Sequence, residues 1–153
     1  MSVKKVRVGI IGADAQASWA GASHIPAIQA QPELELAAVA TRRAESAKAA
    51  AEMFGAERWY ADPYELIADE TIDLVTIAVK VPAHKELVLA ALKANKAVYC
   101  ESPLGASLAE TEQMAAAAGS LPTAIGLQGR HNPSVRRAVE LIRSGAIGKI
   151  LSA

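Results

Sequence analysis

The amino-acid sequence predicts an α/β fold, a doubly wound and mostly parallel sheet covered by helices on both faces in three layers. The first observation is a series of short apolar runs rich in β-branched residues, which is typical of strands buried on both faces. The second is that helix-length segments separate these runs, and such connections join parallel neighbours. The third is size, because 153 residues of which 52% are hydrophobic can build one core.

Five apolar runs are the predicted strands. The first, Val6–Ile11, stops at Gly12, and a β-branched run bounded by glycine is typical of a buried strand. The other four runs share this short, apolar character and cover residues 36–40, 74–79, 97–100 and 123–127.

Helices are predicted in the segments between the strands, over residues 24–30, 44–54, 83–94 and 108–118. A last helix follows Pro133 and ends at Ser144-Gly145, as expected from the positions that proline and glycine favour. Its apolar side chains recur at helical spacing and predict one buried face: Val135, Ala138, Val139 and Ile142. A further apolar segment begins after Gly148, so we expect residues 1–148 to form one domain and residues 149–153 to begin a second.

Composition excludes several classes of function. Basic and acidic residues both number 16, and this balance argues against a protein held by nucleic acid or by a charged membrane surface. The single cysteine, Cys100, allows no internal disulfide and favours a reducing, cytoplasmic setting. No residues have the spacing of a metal site such as H-E-x-x-H, and no serine lies in a G-x-S-x-G motif. The expected partners are therefore small molecules or protein.

The loop after the first predicted strand is a candidate pyrophosphate site. Ligands of open parallel sheets bind beyond the carboxyl ends of the strands, where backbone N–H groups at a helix start hold phosphate. The segment Gly12-Ala13-Asp14-Ala15, followed by Gln16 and Ala17, is a degraded form of the G-x-G-x-x-G motif. Its aspartate would repel a pyrophosphate unless the carboxylate turns away or caps the helix. A structural turn without a nucleotide is the alternative.

The end of the second predicted strand favours NADP as the cofactor. An NAD site places Asp or Glu here, whereas this sequence has Thr41-Arg42-Arg43. A hydroxyl and two guanidinium groups suit a dianionic phosphate. The alternative is that Thr41 caps the helix at Ala44 and that both arginines are only solvated.

Two longer blocks carry a resemblance to a known family. The segment AALKANKAVYCESP over residues 90–103, continued by LGASLAE, and the segment LQGRHNPSVRRAVELIRSGAIGKI over residues 127–150 resemble the Gfo/Idh/MocA family of NAD(P)-dependent sugar and cyclitol oxidoreductases. The resemblance implies a Rossmann domain that binds NADP or NAD and a second domain built on an antiparallel sheet. It also implies a sugar-like substrate and a homo-oligomer formed through that second domain.

The departures from the family pattern affect the predicted chemistry. The family's Glu-Lys-Pro, whose lysine lies near the nicotinamide, is here Glu101-Ser102-Pro103. A serine cannot supply a cationic acid, so we assign no catalytic residue and expect the isolated domain to be inactive. The first loop ending in HIPAI, the segment VKVPAH and the segment LQGR resemble a corepressor subgroup that binds dinucleotide without turnover. Regulation is therefore the alternative to hydride transfer, and a bare α/β domain with a defunct site is the third hypothesis.

The remaining candidate cofactor contacts follow the later predicted strands. Val79, Lys80 and Val81 are expected under a ribose, where Lys80 pairs with a phosphate, and Ser102 is expected to bond ribose or substrate. Glu101 is expected to face the cofactor, or alternatively to cap the turn before Pro103. The other two candidates are His84 and Gln128. His24 and His84 are acid–base candidates by residue type, although each opens a helix and a helix-terminal hydrogen bond is the favoured role.

Overall fold

The computed structural model describes residues 4–16 and 18–152, which form one six-stranded parallel sheet in the order β3-β2-β1-β4-β5-β6. The strands are β1 (Val6–Ile11), β2 (Leu34–Ala40), β3 (Arg58–Tyr60), β4 (Leu74–Ile77), β5 (Ala97–Glu101) and β6 (Thr123–Gly126). The helices are α1 (Ile25–Gln29), α2 (Ala44–Phe54), α3 (Pro63–Ala68), α4 (His84–Lys93), α5 (Leu108–Ala118) and α6 (Pro133–Arg143). A π-helical turn, Ala20–His24, leads into α1, and 3-10 turns Val81–Ala83 and Gln128–His131 precede α4 and α6.

The predicted doubly wound fold is confirmed, with one strand and one helix more than the sequence analysis gave. Strand β1 and helices α2 and α5 have the predicted bounds, while β4 ends at Ile77, before the predicted limit. The prediction of five strands was wrong because β3 is a three-residue edge strand, Arg-Trp-Tyr, which has no run of apolar residues. Helix α3, which follows β3, was also not predicted, because it has only six residues.

Two apolar cores flank the sheet and account for its three layers. On one face, Ile25 and Ile28 of α1 pack with Val8 and Val39 of the sheet. On the other face, side chains of α3, α4 and α5 pack against β4 and β5. In this second core α3 lies close to β1, because a Cβ at Gly9 would lie 2.7 Å from a methyl group of Leu66. In the ranges described, no helix is both long enough and apolar enough to cross a lipid bilayer.

The strand order reverses beside β1, which creates a crevice at the carboxyl edge of the sheet. Strand β1 pairs with β2 on one side and with β4 on the other, and Ile11 is in register with both Ala40 and Ile77. The chain continues from β2 and from β4 toward opposite edges of the sheet. Loops that leave neighbouring strands in opposite directions open a crevice between them, which is where doubly wound proteins bind ligands.

Helix α6 forms as predicted but its apolar face is not buried. The side chain of Asn132 caps its start by accepting from the N–H of Ser134 at 2.9 Å. Val135, Val139 and Ile142 are all exposed, which corrects the expectation of a buried face. The reason is placement, because within the described residues α6 packs mainly against the 3-10 turn before it and not against the sheet.

A buried carboxylate, Asp69, fastens the edge strand β3 to the segment between α3 and β4. Its Oδ2 accepts from the Arg58 guanidinium at 2.6 Å and from the Tyr60 hydroxyl at 2.8 Å, and its Oδ1 accepts from the N–H of Thr71 at 2.9 Å and from its hydroxyl at 2.8 Å. Burial raises the pKa of Asp69, but these hydrogen bonds outweigh burial and hold the pKa well below its usual value. The buried ammonium of Lys96 donates to the Asp69 carbonyl oxygen at 2.8 Å and strengthens the same junction.

The substitution Asp69→Asn should lower the free energy of unfolding by about 1–3 kcal/mol at pH 7, because it removes a charge-assisted acceptor from a partly buried network. Since the folded-state pKa is depressed, this contribution is present above the unfolded-state pKa of about 3.9 and is lost progressively as the pH falls below it. Urea denaturation from pH 7 to pH 3 measures the difference between wild type and variant. The exposed neighbour variant Glu70→Gln is the control, and a difference that stays constant to pH 3 contradicts the assignment.

Candidate functional site

Gly12 draws the ends of three strands together at the crevice. Its φ is +98°, a conformation that L side chains rarely adopt, and its N–H donates to the carbonyl oxygen of Ala40 at 2.8 Å. A Cβ at this position would lie 2.4 Å from the carbonyl oxygen of Ala78. The glycine is therefore required both by conformation and by the backbone that follows β4.

The carboxylate of Asp14 is engaged inside its own loop. Its Oδ1 accepts from the N–H of Gln16 at 2.8 Å, which is the local turn that aspartate commonly forms. Ser18 lies just before the helical turn: its hydroxyl donates to the Asp14 carbonyl oxygen at 2.7 Å and accepts from the N–H of Gly21 at 3.1 Å. The sequence allows two ways of avoiding repulsion between Asp14 and a pyrophosphate. The structure shows the first: the carboxylate turns away and accepts from a nearby backbone N–H, while the Ser18 hydroxyl accepts from the helical N–H of Gly21.

The rest of the first loop is partly open. Ala13 is completely buried, backbone included, which corrects the expectation that it contacts a ligand, whereas Ala15 is half-buried. A cavity of about 560 Å³ lies between this loop and the end of α2, and Ala15, Trp19 and Phe54 are among the residues that line it. Ala17, the last residue of the degraded motif, lies outside the described ranges.

Thr41, Arg42 and Arg43 lie at the end of β2, on the same edge as the first loop. The Thr41 hydroxyl donates to the Arg43 carbonyl oxygen at 3.0 Å and lies 2.6 Å from the Ser46 hydroxyl. It does not cap α2, because Arg43 is the residue at the cap position and makes no side-chain cap. Both arginine side chains are exposed, and neither forms an ion pair with another described residue.

Both ring nitrogens of His84 contact backbone carbonyl oxygens inside the protein. Its ring is 1% exposed, its Nε2 lies 2.9 Å from the carbonyl oxygen of Val79, and its Nδ1 lies 3.1 Å from the carbonyl oxygens of Pro103 and Leu104. The sequence predicted a cofactor contact at His84, but no ring nitrogen is left for one. Instead the imidazole ties the loop after β4 to the loop after β5.

His84 thereby positions the predicted contacts on these two loops. Lys80 is exposed, Val79 and Val81 are half-buried, and Ser102 is exposed. All four lie at the carboxyl edge of the sheet, as the sequence predicted.

Glu101, the last residue of β5, is held from both sides. Its Oε1 lies 2.5 Å from Nε2 of His24, and its Oε2 accepts from the side-chain amide of Gln128 at 2.9 Å. The ring of Tyr99 meets the His24 ring edge-on at a centroid distance of 5.2 Å. A Cβ at Gly126 would lie 3.0 Å from Oε2 of Glu101, so the glycine leaves room for the carboxylate.

This geometry corrects two expectations. Glu101 does not cap the turn before Pro103, and His24 bonds a carboxylate of β5 where a helix-terminal bond was favoured. The sequence named both residues but gave no sign of their pairing, because they are far apart in the chain.

The phenol of Tyr99 and the thiol of Cys100, which precede Glu101 in β5, are kept neutral. Burial, and then the charge of Glu101, raise the pKa of Tyr99 above its ordinary value. The same two causes raise the pKa of Cys100 to about 12, and its side chain is 1% exposed. Cys100 is thus a buried thiol and not a nucleophile. In the part of the chain that the structure describes, no three His, Cys, Asp or Glu side chains are grouped so as to hold a metal ion.

Comparisons with known proteins agree with this architecture. The sequence model of the Gfo/Idh/MocA oxidoreductase family, described as an NAD-binding Rossmann fold, matches residues 6–127. The chain is 30% identical over 146 residues to myo-inositol 2-dehydrogenase of Thermotoga maritima, covering 94% of this chain and 42% of that protein. It is 34% identical over 158 residues to the galactose/lactose metabolism regulatory protein GAL80 of Saccharomyces cerevisiae, covering 96% of this chain and 36% of that protein.

A solved structure shows the same likeness in three dimensions. KijD10, a 3-ketoreductase from Actinomadura kijaniata in complex with NADP and TDP-benzene, superimposes with a TM-score of 0.87 at 32% identity, over 96% of this chain and 45% of that one. The chain therefore spans less than half the length of the proteins that it matches.

Gly12→Ala should destabilise the protein more than Gly55→Ala. Both glycines have positive φ, but a Cβ at Gly55 meets nothing within 4 Å. The control should therefore lose only the conformational term of about 1–2 kcal/mol. Gly12→Ala should lose a further ~1–3 kcal/mol, because the backbone after β4 must move. Thermal and urea unfolding measure both variants, and equal losses would show that the contact with Ala78 does not constrain the loop.

Proposed function

Because the chain belongs to the Gfo/Idh/MocA oxidoreductase family, with its NAD-binding Rossmann fold, we propose that it is the NADP-binding domain of an enzyme that transfers hydride between NADP and a sugar-like polyol or its ketone. The observation that carries the proposal is the crevice at the reversal of strand order, with the exposed guanidinium groups of Arg42 and Arg43 at its edge. A dinucleotide spans such a crevice, one half on each side of the switch point.

The adenosine half belongs over β1 and β2. An NAD site has a carboxylate after β2 that accepts from the ribose hydroxyls, whereas this position carries Thr41 and two cations. Arginine binds phosphate oxygens through paired N–H groups, so Arg42 and Arg43 are suited to the 2′-phosphate of NADP. The hydroxyl of Thr41, which bonds the Arg43 carbonyl oxygen, stabilises the turn that presents them.

The pyrophosphate belongs between the first loop and the loop after β4. Of the predicted contacts in the first loop, Gly12 already donates its N–H to the Ala40 carbonyl oxygen and Ala13 is completely buried, so the N–H donors come from Asp14 and Ala15. The Asp14 carboxylate is already compensated by the backbone N–H of Gln16. These donor groups fit an anionic linker. Lys80 supplies a positive charge from the other side of the crevice.

The nicotinamide half belongs over the ends of β5 and β6, near Glu101, Ser102 and Gln128. Bound NADP supplies the hydride acceptor or donor. The residues of this chain orient the ring and shield it, and Ser102 offers a hydroxyl to ribose or substrate. No catalytic residue is assigned among the cofactor contacts, which agrees with the proposal that the isolated domain does not turn over.

The substrate class is proposed from relatives, one of which is named as a myo-inositol dehydrogenase and another as a 3-ketoreductase. We assign residues 1–148 to the cofactor domain and residues 149–153 to the start of a substrate domain that completes the pocket. Association into a homo-oligomer through that second domain, and a cytoplasmic location, stay predictions.

A second candidate function is regulation that depends on dinucleotide binding and involves no turnover. One observation favours it: Ser102 stands at the end of β5 where the family resemblance implies a lysine, and serine is no cationic proton donor. The likeness to GAL80 supports the same alternative.

Arg42→Ala should weaken NADPH binding by about 1–3 kcal/mol, the scale of a lost charge-assisted hydrogen bond, and leave NADH binding unchanged. Fluorescence titration with each nucleotide measures both affinities. Arg143→Ala, which removes an exposed arginine at the end of α6, is the matched control and should change neither. Equal losses for NADPH and NADH would remove the NADP assignment.

Enzyme and regulator differ in turnover. The protein, at the full length that its gene encodes, should reduce NADP in the presence of at least one member of a panel of sugars and cyclitols, measured as absorbance at 340 nm. Saturable NADPH binding without any absorbance change across the panel would favour the regulator.

A further inference from the structure

The proposed cofactor contacts assign no chemical role to the hydrogen bond between His24 and Glu101, although an imidazole and a carboxylate can hold a proton between them. The two side chains are only 12% and 15% exposed, and the Nε2 to Oε1 distance is 2.5 Å. An imidazole and a carboxylate at this distance share a proton when the imidazole is charged. Gln128 holds the second carboxylate oxygen, so the carboxylate orientation is fixed from the opposite side.

The position of the pair places it under the reactive half of a dinucleotide. Arg42 and Arg43 assign the adenosine phosphate to the β1–β3 half of the sheet, so the other mononucleotide lies over the β4–β6 half. Glu101 ends β5 and Gln128 follows β6, both at the edge where that half binds. This step rests on the proposed function.

Charge balance then links the pair to the oxidation state of the ring. With its proton, the pair is an imidazolium and a carboxylate and has no net charge; without it, the pair carries one negative charge. An oxidised nicotinamide ring is positive and a reduced ring is neutral. Because the pair is poorly exposed, a nearby positive ring is weakly screened and disfavours the extra proton.

We propose that the His24–Glu101 pair takes up the proton that accompanies hydride transfer to a bound nicotinamide and returns it in the reverse reaction. When an alcohol is oxidised, its C–H bond breaks and the hydride leaves with two electrons for the nicotinamide. Its O–H bond breaks as well, the proton passes to the pair, and the O–H electron pair closes the C=O bond. Reduction of a ketone runs the same transfers backwards.

The surroundings of the pair contain no competing charge. Among the described residues, no other charged side chain lies within ion-pair distance of either partner. A cavity of about 210 Å³ borders His24, and of the residues that the structure describes Tyr99 is the only other titratable one that lines it. Burial and the Glu101 charge keep that phenol neutral by raising its pKa. His84 is excluded because backbone carbonyls occupy both its nitrogens.

Binding affinities measured against pH test the proposal without requiring turnover. The ratio of the NADP⁺ dissociation constant to that of NADPH should fall about tenfold between pH 5 and pH 8.5. A tenfold fall is expected when the pair binds its proton about ten times more tightly in the NADPH complex than in the NADP⁺ complex. Protonation of the 2′-phosphate affects both nucleotides and cancels in the ratio. In His24→Gln the ratio should not depend on pH, whereas His131→Gln, an exposed histidine after β6, should behave as wild type.

A second variant and a second readout keep the test decisive. Glu101→Gln keeps the imidazole but removes the carboxylate that stabilises its charged form, so the fall of the ratio should move to lower pH than in the wild type, with circular dichroism verifying that each variant is folded. In ¹⁵N-histidine NMR spectra recorded as a function of pH, the imidazolium fraction of His24 should be larger in the NADPH complex than in the NADP⁺ complex at the same pH.

The outcomes separate this inference from the proposed function. Binding of both nucleotides with a ratio that does not change with pH, or with the same His24 protonation state in both complexes, overturns the inference alone. If neither nucleotide binds, the proposed function fails and the inference fails with it.

Discussion

The close approach of the chain after β1 to the chain after β4 is the constraint on which the site depends. Gly12 fills this point because its φ is positive and because the Ala78 carbonyl oxygen occupies the space that a side chain would need. With β1 held between β2 and β4, the loops from these strands diverge and the crevice opens along the carboxyl edge. Every candidate contact is positioned relative to that edge.

The two sides of the crevice are built differently. On the β2 side the groups are exposed cations on a turn, with Thr41 bonding the backbone beneath them. On the β5 side the groups are mutually bonded and shielded, with His24, Glu101 and Gln128 joined across three separate segments. Exposed cations can bind the negatively charged phosphate of a ligand from solution. A shielded pair suits chemistry in which a proton must be held.

Much of the fold could be predicted from the sequence because its elements are local. Apolar runs, helical spacing and glycine boundaries predict the strand Val6–Ile11 and the helix Ala44–Phe54. Strand β3 could not be predicted, because its three residues gain their strand geometry by pairing with β2. The face of α6 was mispredicted because helical spacing shows that an apolar stripe exists and not what covers it.

The candidate site could be predicted in position but not in its contacts. Strand ends identified Thr41, Lys80 and Glu101, since parallel strands deliver their carboxyl ends to one edge. The partners of Asp14 and His84 are backbone groups whose orientation depends on the folded loops, so residue type alone did not indicate them. The pairing of His24 with Glu101 joins residues 77 positions apart and depends on the whole sheet.

Direct titration of the purified chain with NADPH and NADH, followed by quenching of tryptophan fluorescence and energy transfer to the reduced nicotinamide, tests the central claim. Trp19 is exposed at the first loop and is the natural donor. We expect saturable binding of NADPH that is tighter than the binding of NADH. No saturable response to either nucleotide at millimolar concentration would contradict it.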